Sequence, residues 1–190
     1  MKRAVDFVAC ALVLLLCWPV LLVIIVAIRL QSPGSAIFAQ IRVGKDERPF
    51  TCYKLRTMYS GTANLPTHEV KASSVTALGE HLRRFKIDEL PQLWNVLIGD
   101  MSLVGPRPCM PSQTDLVEAR RRLGVFDVRP GITGLAQARG VDMSDANRLA
   151  DIDAQYVRTQ SLIGDLRLIM ATLRGQGVGV DQVVRHDTQR

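Results

Sequence analysis

The stretch VDFVACALVLLLCWPVLLVIIVAI, residues 5–28, is an almost unbroken run of apolar side chains in which Asp6 is the only charge. It divides the 190-residue chain into a membrane anchor at residues 1–30, a domain of ordinary soluble composition at residues 31–175, and a tail at residues 176–190. About 20 apolar residues suffice to cross a bilayer, so one spanning helix is the simplest geometry. A cleavable signal sequence fits poorly, because the run is too long and no small-x-small site follows it. Two features point instead to a re-entrant helix-break-helix. Pro19 lies mid-run, where its ring removes a backbone hydrogen bond and bends the helix. Lys2 and Arg3 precede the run and Arg29, Arg42 and Lys45 follow it, so a positive-inside bias holds both ends on the cytoplasmic side. Proline is also tolerated in spanning helices, and both geometries stand at this point.

Composition narrows the function classes. The chain has 24 Lys and Arg against 18 Asp and Glu, a formal charge of +6, which suits an anionic membrane surface and phosphate-bearing substrates. Nucleic acid is a poorer partner: no recognisable binding module is present, and aromatic residues make up only 5%. Cys10, Cys17, Cys52 and Cys109 have neither CxxC spacing nor metal-ligand neighbours, and two lie inside the apolar run. A disulfide framework is therefore not expected, and a reducing compartment fits better.

Beyond the anchor, Ser32-Pro33-Gly34 is a turn cluster. Residues 36–43 and 50–57 alternate around a Gly44-Lys45-Asp46 turn and predict a hairpin. Its second strand places Lys54 and Arg56 on one face, which is either a solvated basic face or an anion site. Residues 59–74 are polar and read as a mobile loop. Residues 75–85 predict a helix followed by Lys86-Ile87-Asp88-Glu89-Leu90-Pro91. Pro91 suits the first turn of a further helix, with Gly99 as its stop. Asp88 and Glu89 then fall at a helix N-terminus, as simple caps or as groups that use its partial positive charge. In Gly105-Pro106-Arg107-Pro108 two prolines stiffen the backbone around one arginine, whose fork of donors suits phosphate oxygens. Arg129-Pro130-Gly131 repeats the pairing of arginine with proline. Helices are predicted over 115–123, over 145–160 with Ser144 as cap, and over 164–174, where Leu166, Ile169, Met170 and Leu173 share a stripe beside Arg167 and Arg174. That stripe fits either core packing or docking at a membrane interface. The tail from Gly175 reads as poorly ordered, and no internal repeat is found.

Several of these segments together resemble one family, the bacterial sugar transferases, small monotopic polyprenyl-phosphate phosphoglycosyl transferases. The resemblance is carried by Lys2-Arg3 with Asp6, by Pro19, by Phe38-Ala39-Gln40-Ile41-Arg42-Val43-Gly44, by Arg48-Pro49-Phe50 and by Tyr53-Lys54-Leu55-Arg56-Thr57-Met58. It continues through the block from Leu82 across Asp88-Glu89-Leu90-Pro91-Gln92-Leu93-Trp94-Asn95-Val96 to Gly105-Pro106-Arg107-Pro108, and ends with Arg129-Pro130-Gly131-Ile132-Thr133-Gly134-Leu135-Ala136-Gln137. Two positions depart from the pattern. Trp18 replaces the serine often found before the proline, and Ala138-Arg139-Gly140-Val141 replaces the usual hydrophobic residue and Asn-Gly-Arg.

The resemblance implies an α/β fold, mostly helical with a minor sheet, with an N-terminal re-entrant membrane helix and interfacial amphipathic helices. It implies transfer of a phospho-sugar from a UDP-sugar to polyprenyl (undecaprenyl) phosphate at the cytoplasmic face of the bacterial inner membrane. Asp88 would be the nucleophile and the protein ligand of Mg2+, and Glu89 a general base or hydrogen-bond partner. Arg83, Arg107 and Arg129, with Lys54 and Arg56, would bind phosphates. Membrane lipids are expected partners, nucleic acid is not, and a homodimer is compatible. The competing reading is a non-catalytic anchored module that binds anionic lipid, in which Asp88 and Glu89 have no special part.

Overall fold

The computed structural model describes residues 1–61 and 74–174; most of the 59–74 loop and the tail lie outside them. The fold is mostly helical. Helix α1 (Lys2–Gln31) is followed by the hairpin β1 (Ile37–Val43) and β2 (Pro49–Leu55), then α2 (Ala77–Arg84), α3 (Gln92–Ile98) and β3 (Ser102–Val104). After these come α4 (Thr114–Arg122), β4 (Gly131–Thr133), α5 (Leu135–Ala138), α6 (Ala146–Thr159) and α7 (Leu162–Leu173). Strands β1 and β2 pair antiparallel from Ile37 with Leu55 to Val43 with Pro49, as the alternating pattern predicts. A second, parallel pair joins β3 to β4, and nothing in the periodicity announces it.

The apolar run does not break at Pro19. Its backbone is one helix from Lys2 to Gln31 with the proline inside. At 1.5 Å per residue such a helix is about 45 Å long. It lies against the rest of the protein at both ends. Cys10 and Leu14 join Phe50, Cys52, Leu93, Val96 and Met101 in one core cluster. Leu21, Ile24, Ile25 and Ile28 join Ala36, Leu55 and Leu82 in another. These positions recur at helical spacing and form the covered stripe. The rest of the surface stays open: Leu15, Leu16, Val23 and Leu30 are each more than two-thirds exposed. A helix apolar all round with one stripe covered needs an apolar medium on the other side. The chain is accordingly a membrane-associated protein.

Polar contacts pin both helix ends. Lys2 pairs with the buried Asp165 at 2.5 Å, and Ser102 Oγ donates to Asp6 Oδ2 at 2.7 Å. Arg3 donates to the Val96 and Leu97 carbonyls at the end of α3. At the other end Arg56 donates to the Ser32 and Pro33 carbonyls.

Local signals explain most boundaries. Thr76 caps α2 by accepting from Gly79 N at 2.9 Å, and Gly99 ends α3 with a left-handed φ of 100°. Three details differ from the sequence reading. Asp145, and not Ser144, caps α6 by accepting from Arg148 N, because Ser144 is engaged by Asp142. Pro91 is the cap residue of α3, not its first helical residue. Asp88 and Glu89 therefore sit in a separate 3-10 turn, Ile87–Glu89, ahead of that helix.

The two Pro-Arg motifs lock together. Gly105 N donates to Thr133 O, and Gly131 N donates to Pro106 O, each at 2.9 Å. The backbones come so close that a Cβ on Gly131 would stand 2.1 Å from Gly105 N. Backbone cannot yield as a flexible side chain does, so Gly131→Ala is expected to cost about 3 kcal/mol or more by overpacking. The check is thermal unfolding in detergent, where an unchanged midpoint would contradict the interlock.

Candidate active site

The site is built where three segments meet. Lys54 comes from β2, Asp88 and Glu89 from the turn before α3, and Arg107 from the loop after β3. Asn95 holds the first two together. Its fully buried amide accepts from Tyr53 N at 3.1 Å and donates to Thr51 O at 2.7 Å, riveting α3 to the edge of β2. Lys86 has a left-handed φ of 56°, an uncommon conformation for a non-glycine residue, and it turns the chain from α2 into the dyad.

The two carboxylates have opposite surroundings. Oε1 of Glu89 accepts from Lys54 Nζ and from Arg107 Nη2, both at 2.8 Å. Burial alone would raise the Glu89 pKa, but the charges of Arg107 and Lys54 outweigh it and hold this group far below the usual carboxylate range. Asp88 is buried, and among the described residues no side chain hydrogen-bonds to its carboxylate. Its pKa is pushed up to about 6, first by burial and then by the neighbouring charge of Glu89, against the pull of Lys54, Arg83 and Arg107. Glu89 is thus a held anion, and Asp88 is a carboxylate free to meet a ligand.

The other predicted arginines take different places. Arg83 donates from Nε to the buried Thr57 Oγ1 at 2.8 Å. Its pKa is lowered by burial and supported by the charge of Asp88, which places it beside the dyad. Arg56 is spent at the end of α1, as described above. Arg129 is exposed and donates from Nε to Gly99 O at 2.7 Å, where it completes the C-terminus of α3. The geometry therefore gathers Lys54, Arg83 and Arg107 around Asp88 and Glu89, and shows Arg56 and Arg129 bound to backbone carbonyls elsewhere. A pocket of about 110 Å³ opens beside the dyad, lined by Lys86, Glu89, Leu90, Leu93, Gln137 and Thr172 among others.

The family model described as bacterial sugar transferase matches residues 1–176. The chain belongs to the bacterial sugar transferase family. It is 43% identical to a UDP-glucose:undecaprenyl-phosphate glucose-1-phosphate transferase of Caulobacter vibrioides, over 90% of this chain and 68% of that protein. It is 39% identical to the uncharacterized sugar transferase EpsL of Bacillus subtilis, over 92% of this chain and 86% of that protein. A UDP-N-acetylgalactosamine-undecaprenyl-phosphate N-acetylgalactosaminephosphotransferase of Aeromonas hydrophila is 36% identical over 91% of this chain and 43% of its own length. This chain thus spans less than half of some longer family members.

For a bacterial sugar transferase, a divalent metal at the dyad has a testable fit. Among the described residues no group of three or more His, Cys, Asp or Glu could form a self-sufficient cage. Mg2+ commonly binds through one or two carboxylates and completes its shell with water and substrate phosphates, and the open carboxylate of Asp88 suits that mode. Two residues near Arg107 escaped the sequence reading. Arg42 counts in the sequence only as part of a family motif and of the positive charge after the apolar run; it donates to Pro108 O at 3.0 Å, and its pKa is lowered to about 10 by burial and then by the charge of Arg107. Arg120 is one of three consecutive arginines, Arg120-Arg121-Arg122, within the helix predicted over 115–123. Its spacing from Leu116 and Ala119, on the buried side of α4, was the available signal.

A carboxylate held above its unfolded pKa destabilises the fold once ionised. The stability linked to Asp88 is fullest below the unfolded value and is lost as pH rises through about 6. Asp88→Asn should therefore be more stable than wild type at neutral pH without metal, by about 1–3 kcal/mol, with the gap closing toward pH 4. Thermal unfolding across that range checks it; a constant gap would contradict the raised pKa.

Proposed function

We propose that this protein transfers a sugar phosphate from a UDP-sugar to polyprenyl phosphate, through a covalent intermediate on Asp88. One observation carries the reading: Glu89 is locked by Lys54 and Arg107, while Asp88 next to it is buried, short of hydrogen bonds and within reach of three cations. The activities for which these relatives are named support the same reaction class. They differ in the sugar, so the donor is assigned here only as a UDP-sugar.

In the proposed reaction a carboxylate oxygen of Asp88 attacks the sugar-bearing phosphorus. The bond from that phosphorus to the oxygen shared with the nucleoside phosphate breaks, and UMP leaves. A phosphate oxygen of the polyprenyl phosphate then attacks the same phosphorus, breaking its bond to Asp88 and yielding polyprenyl-diphosphate-sugar. Splitting the transfer lets one small site serve a soluble and a lipid substrate in turn. Two anions must meet, so their repulsion has to be offset by Arg83, Lys54 and Arg107, whose preorganised donors stabilise charge on the transferring phosphoryl group. Mg2+ on Asp88 would add Lewis-acid polarisation of the phosphate oxygens. A held anion with a very low pKa is a poor proton acceptor, which favours the hydrogen-bonding role for Glu89 over general base. A site kept from bulk water also protects the acyl phosphate from hydrolysis.

The membrane arrangement follows from α1. Lys2, Arg3 and Asp6 bond to the same domain that Ile28 packs against, which supports both helix ends lying on one side, the cytoplasmic face where a UDP-sugar is available. The apolar outer face of α1 would then be embedded without crossing.

The reaction is tested by screening UDP-sugars for UMP release with undecaprenyl phosphate present. Release is expected with at least one donor, abolished by EDTA and restored by Mg2+, and reduced about a hundredfold in Arg107→Ala. Full activity in EDTA would remove the metal from the account, release unchanged in Asp88→Asn would overturn the nucleophile assignment, and no release from any donor would favour the lipid-binding module. The topology is tested with a cysteine at position 2 in a background lacking the native four. An impermeant thiol reagent should label it only in opened cells; labelling in intact cells would mean a spanning helix.

A further inference from the structure

Arg107 stands on a loop that has little hydrogen bonding of its own. Pro106 and Pro108 have no N–H, so the loop must be held through its carbonyls, and four donors hold four successive ones. Pro106 O accepts from Gly131 N at 2.9 Å, and Cys109 O from Val43 N at 3.0 Å. Pro108 O accepts from Arg42 Nη1 at 3.0 Å. The carbonyl of Arg107 itself accepts from Nη1 of Arg120 at 2.8 Å.

Arg120 is among the most deeply buried side chains of the protein, at 1% exposure. Its Nε and Nη2 both meet Oδ2 of Asp153 on α6, at 3.0 and 2.6 Å. A buried ion pair is a weak source of stability, because desolvation offsets most of the attraction. The guanidinium fork has a property that an apolar pair lacks: oriented on one edge by a carboxylate, it presents a donor at a fixed angle on the other. Here that donor meets the backbone of the residue whose side chain grips Glu89.

We infer that Arg120, oriented by Asp153, is a positioning residue for the transfer reaction: it fixes the backbone of Arg107 so that the guanidinium is presented to the substrate phosphate. This rests on the phosphate-binding role proposed for Arg107. Arg120 touches no substrate and acts only through Arg107. A lysine at position 120 retains the charge beside Asp153 but lacks the planar fork that serves both partners. A displacement of about 1 Å in a charge donor is enough to cost a hundredfold in rate.

The test is a double-mutant cycle with Arg107→Ala and Arg120→Lys, read as UMP release from UDP-glucose, or from whichever UDP-sugar the wild type turns over. Arg120→Lys alone should lower kcat about ten- to a hundredfold with a thermal midpoint near wild type. In the Arg107→Ala background the same change should cost less than about twofold, since residues acting through one another are not additive. If Arg120→Lys fails to fold, the paired replacement Arg120→Gln with Asp153→Asn, which leaves no buried charge unpaired, enters the same cycle with the same expectation. Equal costs in both backgrounds, or wild-type turnover in the single variant, would overturn the inference while leaving the function intact. Normal turnover in Arg107→Ala would overturn the phosphate-binding role the inference rests on while leaving the transfer reaction standing, and no UMP release by wild type from any UDP-sugar would overturn the proposed function; the inference falls with either.

Discussion

One carboxylate oxygen, Oε1 of Glu89, accepts hydrogen bonds from Lys54 and Arg107 across 35 and 18 residues of sequence. In a protein interior an unpaired charge is costly, so removing any of the three strands its partners. The rest of the domain serves to bring them into register. Asn95 rivets the helix after the dyad to the strand that carries Lys54. The Gly105–Gly131 interlock and the Arg120 clamp place the loop that carries Arg107. The bridge commits Glu89 to its cations, and its negative charge adds to burial in making the neighbouring Asp88 reluctant to ionise. The two adjacent carboxylates are thus set apart by their surroundings, one committed to cations and the other not.

The same scaffold carries the membrane attachment. Cys10 and Leu14 of α1 pack with Phe50 and Cys52 of β2 and with Leu93 and Val96 of α3. The anchor is therefore part of the core beneath the site, not a tether, and α1 cannot move far without disturbing the elements that hold Lys54 and follow the dyad. Its unbroken course past Pro19 fits that role. A proline forfeits one backbone bond, and packing along two core clusters can offset a loss of that size.

What could be read from sequence was local. The hairpin was legible because alternation and a glycine turn specify it within twenty residues, and the end of α3 because Gly99 adopts a backbone that few other residues tolerate. Lys54, Asp88, Glu89 and Arg107 stood out through the family resemblance and prove to share one site. The parallel β3–β4 pair could not be foreseen, because three-residue strands leave no period to detect. Arg56 and Arg129 carry the residue type a phosphate site needs, and only the tertiary structure shows each on a backbone carbonyl. Arg120 is the converse case: its place beside Leu116 and Ala119 marks the buried side of α4, but the partner that balances its charge, Asp153, is reached only when α4 and α6 pack together.

The central claim is that Asp88, and not its better-paired neighbour, becomes covalently bonded to the transferred phosphate. The most direct measurement is the intact mass of the protein incubated with Mg2+ and a UDP-sugar donor but no lipid acceptor, followed by peptide mapping of the product. The account predicts a gain of one sugar phosphate with stoichiometric UMP, located on Asp88, absent from Asp88→Asn and discharged on adding undecaprenyl phosphate. An adduct on Glu89 or any other residue, or UMP formed only when the lipid acceptor is present and never with a covalent species, would contradict it.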